Sequence, residues 1–176
     1  MLEHGGALRA AAERYHIPPN DWLDLSTGIN PNGWPVPTIP ATAWQRLPEP
    51  DDGLESAATA YFETANVLPV AGSQAAIQAL PRLRDPGRTG VLGPTYAEHA
   101  HGWRRAGHQV ELLAAEALDA ALDRSNVLVV VNPNNPTGMR FASATLLDWR
   151  ARLAGRGGWL VVDEAFADAT PEESLA

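Results

Sequence analysis

Two apolar runs in the C-terminal half of the chain set the expected architecture. Val127 to Val131 reads Val-Leu-Val-Val-Val, and Trp159 to Val162 reads Trp-Leu-Val-Val. A continuous apolar run without polar alternation predicts a strand covered on both faces. Between the two, Ala142, Leu146, Trp149 and Leu153 recur at helical spacing and give one apolar face. The pattern predicts a βαβ unit, whose right-handed crossover makes the strands parallel and brings both carboxyl ends to one sheet edge. Upstream, the pattern predicts helices over Leu54 to Thr64, Gln74 to Leu83 and Glu98 to Ala106. It predicts strands over Val67 to Val70, Gly90 to Gly93 and Gln109 to Leu113. Such alternation points to an α/β fold with a mostly parallel sheet.

Before residue 54 the regularity lapses. Gly6 to Arg14 is a short Ala-rich helical stretch, and Trp22 to Leu25 is a brief extended segment ending in Ser-Thr-Gly. Residues 28–53 carry six prolines together with Gly33 and Gly53, which suits an ordered arm better than repeating structure. The expected organisation is therefore an N-terminal helix and Pro-rich arm over 1–53, followed by one domain over 54–176.

Composition narrows the ligands. A chain of 176 residues with 45% hydrophobic content buries the core of one domain. Thirteen basic against twenty-one acidic side chains give a net charge of −8, which opposes nucleic acid and anionic membranes and favours small molecules or protein partners. No run approaches a membrane span, and the N-terminus, with Glu3 and His4, lacks the apolar block of a signal peptide, so a cytoplasmic protein is expected. The absence of cysteine excludes disulfides, thiolate nucleophiles and cysteine metal sites. All thirteen basic residues are arginine, so no Schiff base can form on a lysine side chain here. A GC-rich coding sequence and an essential lysine beyond residue 176 are both compatible with that bias.

The chemistry gathers at the predicted carboxyl edge, where open α/β sheets bind ligands. The loop after the first strand of the βαβ unit is Asn132-Pro-Asn-Asn-Pro-Thr-Gly138, and Asp163 follows the second strand. Asn135 can donate to a phenolic or carboxylate oxygen, Pro133 and Pro136 stiffen the loop, and Gly138 permits a turn. Asp163 suits a protonated ring nitrogen. An ordinary turn and a loop or cap acid are the plainer alternatives. Ala71-Gly72-Ser73-Gln74 opens an apolar helix, where free amides, Gly72 and the Ser73 hydroxyl could hold a phosphate, or Ser73 could be a plain N-cap. Tyr96, after Pro94-Thr95, could stack on a planar ring or fill the core.

Taken in order, these motifs and Asp163-Glu-Ala-Phe166 resemble the fold-type-I pyridoxal-phosphate enzymes of the aminotransferase superfamily, over nearly the whole chain. The resemblance implies an incomplete large domain of that fold over 54–176, preceded by the arm. It implies pyridoxal 5'-phosphate held by Gly72, Ser73 and Gln74 at the phosphate, Tyr96 on the ring face, Asn135 at the phenolic oxygen and Asp163 at the ring nitrogen. Leu2-Glu-His-Gly-Gly6, Asp24-Leu-Ser-Thr-Gly-Ile-Asn-Pro-Asn-Gly33 and Phe166 are similar to the branch that decarboxylates L-threonine O-3-phosphate in cobalamin synthesis. There His4, Gly28, Asn30 and Asn135 become substrate-binding candidates. Related histidinol-phosphate aminotransferases usually place tyrosine where this chain has Phe166.

Two features depart from the family pattern. The resemblance places the Schiff-base lysine in a Ser-x-x-Lys segment well after Asp163, and a carboxylate-binding arginine in a C-terminal domain, both beyond Ala176. Leu47 stands before Pro48-Glu49 where relatives often carry a tyrosine that reaches the partner subunit's cofactor phosphate. The implied parent is a homodimeric decarboxylase acting on an amino-acid phosphate, of which this chain is an N-terminal piece, inactive alone. A histidinol-phosphate-type aminotransferase and a non-catalytic module of the same fold are the competing readings.

Overall fold

Four five-residue strands form one parallel sheet: β1 (Arg88–Leu92), β2 (Gln109–Leu113), β3 (Val127–Val131) and β4 (Trp159–Asp163), in the order β2-β1-β3-β4. The computed structural model describes residues 5–29, 32–47, 49 and 52–176. The chain forms two compact units, Met1–Pro50 and Asp51–Ala176. The first contains α1 (Leu8–Tyr15). The second contains α2 (Leu54–Tyr61), α3 (Ser73–Ala79), α4 (Ala97–Arg105), α5 (Leu118–Ala121) and α6 (Ser143–Ala154) besides the sheet.

Every residue of β3 is buried, as its unbroken apolar run requires. On one face Val91, Val127 and Val129 pack against Ala100 and Trp103 of α4. On the other, Leu92, Leu113, Leu128 and Val130 pack against Leu118 and Ala121 of α5, Leu122 just after it, and Leu146, Trp149 and Leu153 of α6. Right-handed crossovers put helices on opposite faces in this way when they run in opposite directions along the sheet, as β1 to β2 does against β2 to β3 and β3 to β4. The βαβ unit β3-α6-β4 forms, with Leu146, Trp149 and Leu153 buried as the spacing predicts, but Ala142 is exposed just before α6, and β4, expected to be covered on both faces, is half-buried along its length because it lies at the sheet edge. Asp163, expected just after the strand, is instead its last residue and pairs with Val131.

One expectation fails. Residues 67–70 make no strand: Leu68 and Val70 are exposed, and Pro69 has no N–H to give a ladder. The crossover from β2 to β3 contains α5, flanked by 3₁₀ turns at Ala115–Ala117 and Leu122–Arg124, none of which the apolar pattern announces. Helix boundaries also move. α2 stops at Tyr61, with Glu63 in the left-handed region (φ 51°), and α3 tightens into a 3₁₀ turn over Leu80–Leu83, where Pro81 cannot donate to the helix. Gly102 lets α4 approach α3, since a Cβ there would meet the Ile77 carbonyl oxygen at 3.1 Å.

Arg156 closes the turn that ends the α5 region. Its guanidinium donates to the carbonyl oxygens of Leu122, Ser125 (3.0 Å) and Asp123 (3.1 Å) at a helix end, where carbonyls run short of intrahelical donors; Leu122 also accepts the Ser125 N–H at 3.3 Å. Arg156→Ala is expected to destabilise the chain by about 1–2 kcal/mol, read as a lower urea midpoint at unchanged m-value. Arg156→Lys should recover only part of the loss, because one ammonium lacks the planar fork.

Candidate functional site

Strand order reverses between β1 and β3. The chain leaves β1 through α4 toward β2 on one side, and β3 lies on the other. In open α/β sheets this switch point opens a crevice at the carboxyl ends, walled here by the loop at 93–96 and the loop at 132–138. The two loops are bonded to each other. Thr95 Oγ1 donates to Asn134 Oδ1 (2.6 Å), while Asn134 Nδ2 donates to the Pro94 carbonyl (2.9 Å) and to Thr137 Oγ1 (2.7 Å).

The three asparagines of the second loop divide the work. Asn132 brackets Phe141, accepting its N–H at 2.8 Å and donating to its carbonyl at 3.2 Å, and its own N–H reaches the Asp163 carbonyl at 2.9 Å. Asn134 is buried in the tie just described, and its N–H donates to the Met139 carbonyl (2.8 Å). Gly138 takes φ +69°, and its N–H donates to the Asn134 carbonyl (2.7 Å). Asn135 is left on the outer side, exposed, its amide making no hydrogen bond with another described residue. A donor so placed is available to a ligand.

Asp163 stands one strand over from that loop. Its Oδ2 accepts from His99 Nε2 at 2.8 Å, with the His99 and Asp163 side chains 4% and 13% exposed, and its Oδ1 accepts the Ala165 N–H at 3.0 Å. The His99 hydrogen bond first, and the Ala165 N–H after it, hold the carboxyl below its usual range against the opposing effect of burial. The geometry assigns the proton to His99 Nε2, facing the carboxylate. His99 lies in the first turn of α4 and was not singled out from the sequence. A signal was present: it follows Tyr96 by three residues, the spacing that puts two side chains on one helical face.

Tyr96 is the residue before α4, half-buried, with its ring edge-on to His99 at 6.3 Å between centroids. Burial first, then the negative charges of Glu98 and Asp163, push its hydroxyl above the usual phenol range. Gly72 takes φ +78° as the N-cap of α3, and a Cβ built on it would find no atom within 4 Å, so space beside the helix start is open. The first amides of a helix have no partner within it. Ser73 is the first helical residue rather than the cap, which removes its plainer reading. The Gln74 side chain is engaged within the protein, donating to Glu98 at 3.0 Å.

Of the remaining candidates, His4 and Asn30 lie outside the described residues, as does Pro48 of the Leu47-Pro48-Glu49 step. Gly28 is exposed in the N-terminal unit, and neither a positive φ nor a close neighbour requires glycine there. Within that unit the two quoted segments do meet. The Gly6 N–H donates to Ser26 Oγ (2.8 Å), and the Ser26 N–H and hydroxyl both reach Asp24 Oδ1 (2.9 and 2.6 Å). Gly5 lies so close that a Cβ would stand 1.9 Å from the Ser26 carbonyl oxygen. Among the described residues no cluster of three metal-ligating side chains occurs, and no helix is long and apolar enough to cross a membrane.

The edge therefore offers an ionised carboxylate, an outward amide, an aromatic face and an open helix start. The model of the family described as aminotransferase class I and II matches residues 21–176. The chain is 64% identical over all 176 residues to the threonine-phosphate decarboxylase of Pseudomonas aeruginosa, of which it covers 53%. Among solved structures it is similar to L-threonine-O-3-phosphate decarboxylase from Porphyromonas gingivalis, with a TM-score of 0.62 and 23% identity over 70% of this chain and 41% of that one. It is likewise similar in fold to histidinol-phosphate aminotransferase from Sinorhizobium meliloti in complex with pyridoxal-5'-phosphate, with a TM-score of 0.59 and 20% identity over 69% of this chain and 36% of that one. The chain spans about half the length of the curated relatives it matches.

Proposed function

Because the chain belongs to the class I and II aminotransferase family, we propose that it forms the ring-binding half of a pyridoxal-phosphate site in an enzyme that decarboxylates L-threonine O-3-phosphate to 1-aminopropan-2-ol O-2-phosphate. The observation that carries this reading is the 64% identity, along its whole length, to a threonine-phosphate decarboxylase. The donor set fits the cofactor. Asp163 is held anionic with part of its surface open, Asn135 has an unspent amide, and Gly72 leaves room at a helix start.

Pyridoxal phosphate, when bound, supplies an electron sink for the carbanion left at the substrate α-carbon. Asp163 holds a proton on the ring nitrogen and keeps that sink deep, and His99 keeps Asp163 ionised and aimed. Asn135 donates to the phenolic oxygen. Phe166 has no hydroxyl to share that role. Tyr96 would lie against the ring, and the backbone amides of Ser73 and Gln74, with Gly72, would hold the phosphate. Asn135 also helps to orient the amino-acid phosphate so that the bond to the carboxylate is the one weakened. No lysine is present in this chain, so none of its own side chains supplies the reactive amine. The working enzyme is a cytoplasmic homodimer that takes a small-molecule substrate.

The test uses the chain joined to the second half of the Pseudomonas aeruginosa relative, the completed enzyme. With L-threonine O-3-phosphate it is expected to release carbon dioxide without a keto-acid requirement. Keto-acid-dependent amino transfer without carbon dioxide would replace the reading with a histidinol-phosphate-type aminotransferase. No turnover of either kind, with pyridoxal phosphate not taken up, would leave a non-catalytic module.

A further inference from the structure

Glu98 accepts hydrogen bonds from two glutamines of the neighbouring helix: Gln74 Nε2 at 3.0 Å and Gln78 Nε2 at 3.3 Å, both on its Oε2. Gln74 and Gln78 are four residues apart and share one face of α3. A carboxylate has no proton to give, so it takes only the nitrogen end of each amide. That decides which way Gln74 is turned. Its Oε1 is left facing Tyr96, whose hydroxyl donates to it at 3.5 Å. The chain of contacts runs from the first turn of α4, across to α3 beside Gly72 and Ser73, and back to the residue that opens α4. It joins the helix start assigned to the phosphate with the aromatic ring assigned to the cofactor face.

We propose that Glu98 is a positioning residue: it fixes the orientation of the Gln74 amide and, through it, the placement of the Tyr96 ring at the mouth of the site. Its bearing on the cofactor rests on the reading above, while the placement of Tyr96 does not. An acidic residue in the first turn of a helix also favours that helix through the macrodipole. A role confined to the dipole would change stability and leave Tyr96 where it is. The negative charge of Glu98 also helps to keep the Tyr96 hydroxyl protonated, which its donor role requires.

The experiment compares aromatic NMR signals of the 176-residue chain in the wild type, Glu98→Ala, Glu98→Gln, Gln74→Ala and the double variant, with Tyr96→Phe assigning the ring. Glu98→Ala and Gln74→Ala are expected to shift the Tyr96 signals alike. The double variant should add nothing further, as coupled residues do. Glu98→Gln, which can still offer an oxygen to both amides, should restore most of the wild-type position. Pyridoxal phosphate added to the same proteins should bind roughly two- to tenfold more weakly to Glu98→Ala than to wild type, with a smaller induced circular dichroism. Tyr96 signals that stay put in Glu98→Ala overturn the proposal, as does a shift in Glu98→Ala that Gln74→Ala does not share. Failure of the wild type to bind pyridoxal phosphate overturns the cofactor reading instead, and the Tyr96 signals still decide the role of Glu98.

Discussion

Asp163→Ala is expected to slow carbon dioxide release by the completed enzyme by on the order of 10²–10³, the cost of removing one preorganised charge from a developing transition state. The substitution acts twice. It takes away the anion opposite the ring nitrogen, and it leaves the buried His99 Nε2–H without its acceptor, which costs about 1–3 kcal/mol of stability. Asp163→Asn separates the two effects. Its amide oxygen can still accept from His99, so stability should largely return while turnover stays low, because a neutral side chain does not hold the ring nitrogen protonated. Turnover recovering along with stability in Asp163→Asn would refute the electrostatic role. Acid gives a second check. The native state holds the Asp163 carboxyl below the ordinary value of 3.8, chiefly through His99. That contribution to stability is present above the ordinary value and fades as pH falls through the lower native one. Urea midpoints of wild type and Asp163→Asn should therefore converge as the pH is taken below about 4.

Trp103→Ala should unfold more of the molecule than any surface change. Trp103 is 1% exposed between α4 and the sheet, against Val91, Val127 and Val129, with its ring edge-on to His108 at 4.6 Å. Deleting a fully buried indole costs about 3–5 kcal/mol, a large part of the roughly 5–15 kcal/mol that holds a domain folded. The loss also reaches the site, because α4 carries His99 and follows directly on Tyr96. Trp149→Ala is the matched control. Trp149 is buried on the opposite sheet face, against α5 and its flanking turns, with Nε1 donating to Asp119 at 3.1 Å. The two variants should have similar urea midpoints, yet only Trp103→Ala should displace the Tyr96 NMR signals. Displacement by both would mean that the two faces are not independent.

The sheet was legible in the sequence where burial leaves no choice. β3 has apolar residues at all five positions, and α6 places Leu146, Trp149 and Leu153 at a spacing that only a helix satisfies. The α5 region was not, because four helical residues between two 3₁₀ turns bury Leu118, Ala121 and Leu122, too few for a period to show. The 67–70 segment misled for the opposite reason: Val, Leu and Val suit a strand, but strand propensity does not provide a ladder partner. In the site, Asn135 and Asp163 could be named because loops that follow strands in an open sheet point at ligands. His99 had only its spacing from Tyr96 to mark it, since its partner Asp163 lies 64 residues later and nothing local to either residue announces the other. The opposed roles of the neighbouring Asn134 and Asn135 were equally hidden, because burial, and not residue type, distinguishes them.

The tie between Asn134 and the 93–96 loop has a consequence for motion. Either loop can swing outward only by breaking the bonds of Asn134 to Thr95 and Pro94, which the other loop shares. The two walls of the crevice are therefore expected to move together, carrying Tyr96 on one wall and Asn135 on the other, which hydrogen exchange at the amides of both loops would read as a shared opening rate. A ligand that bridges them would then meet one opening event rather than two.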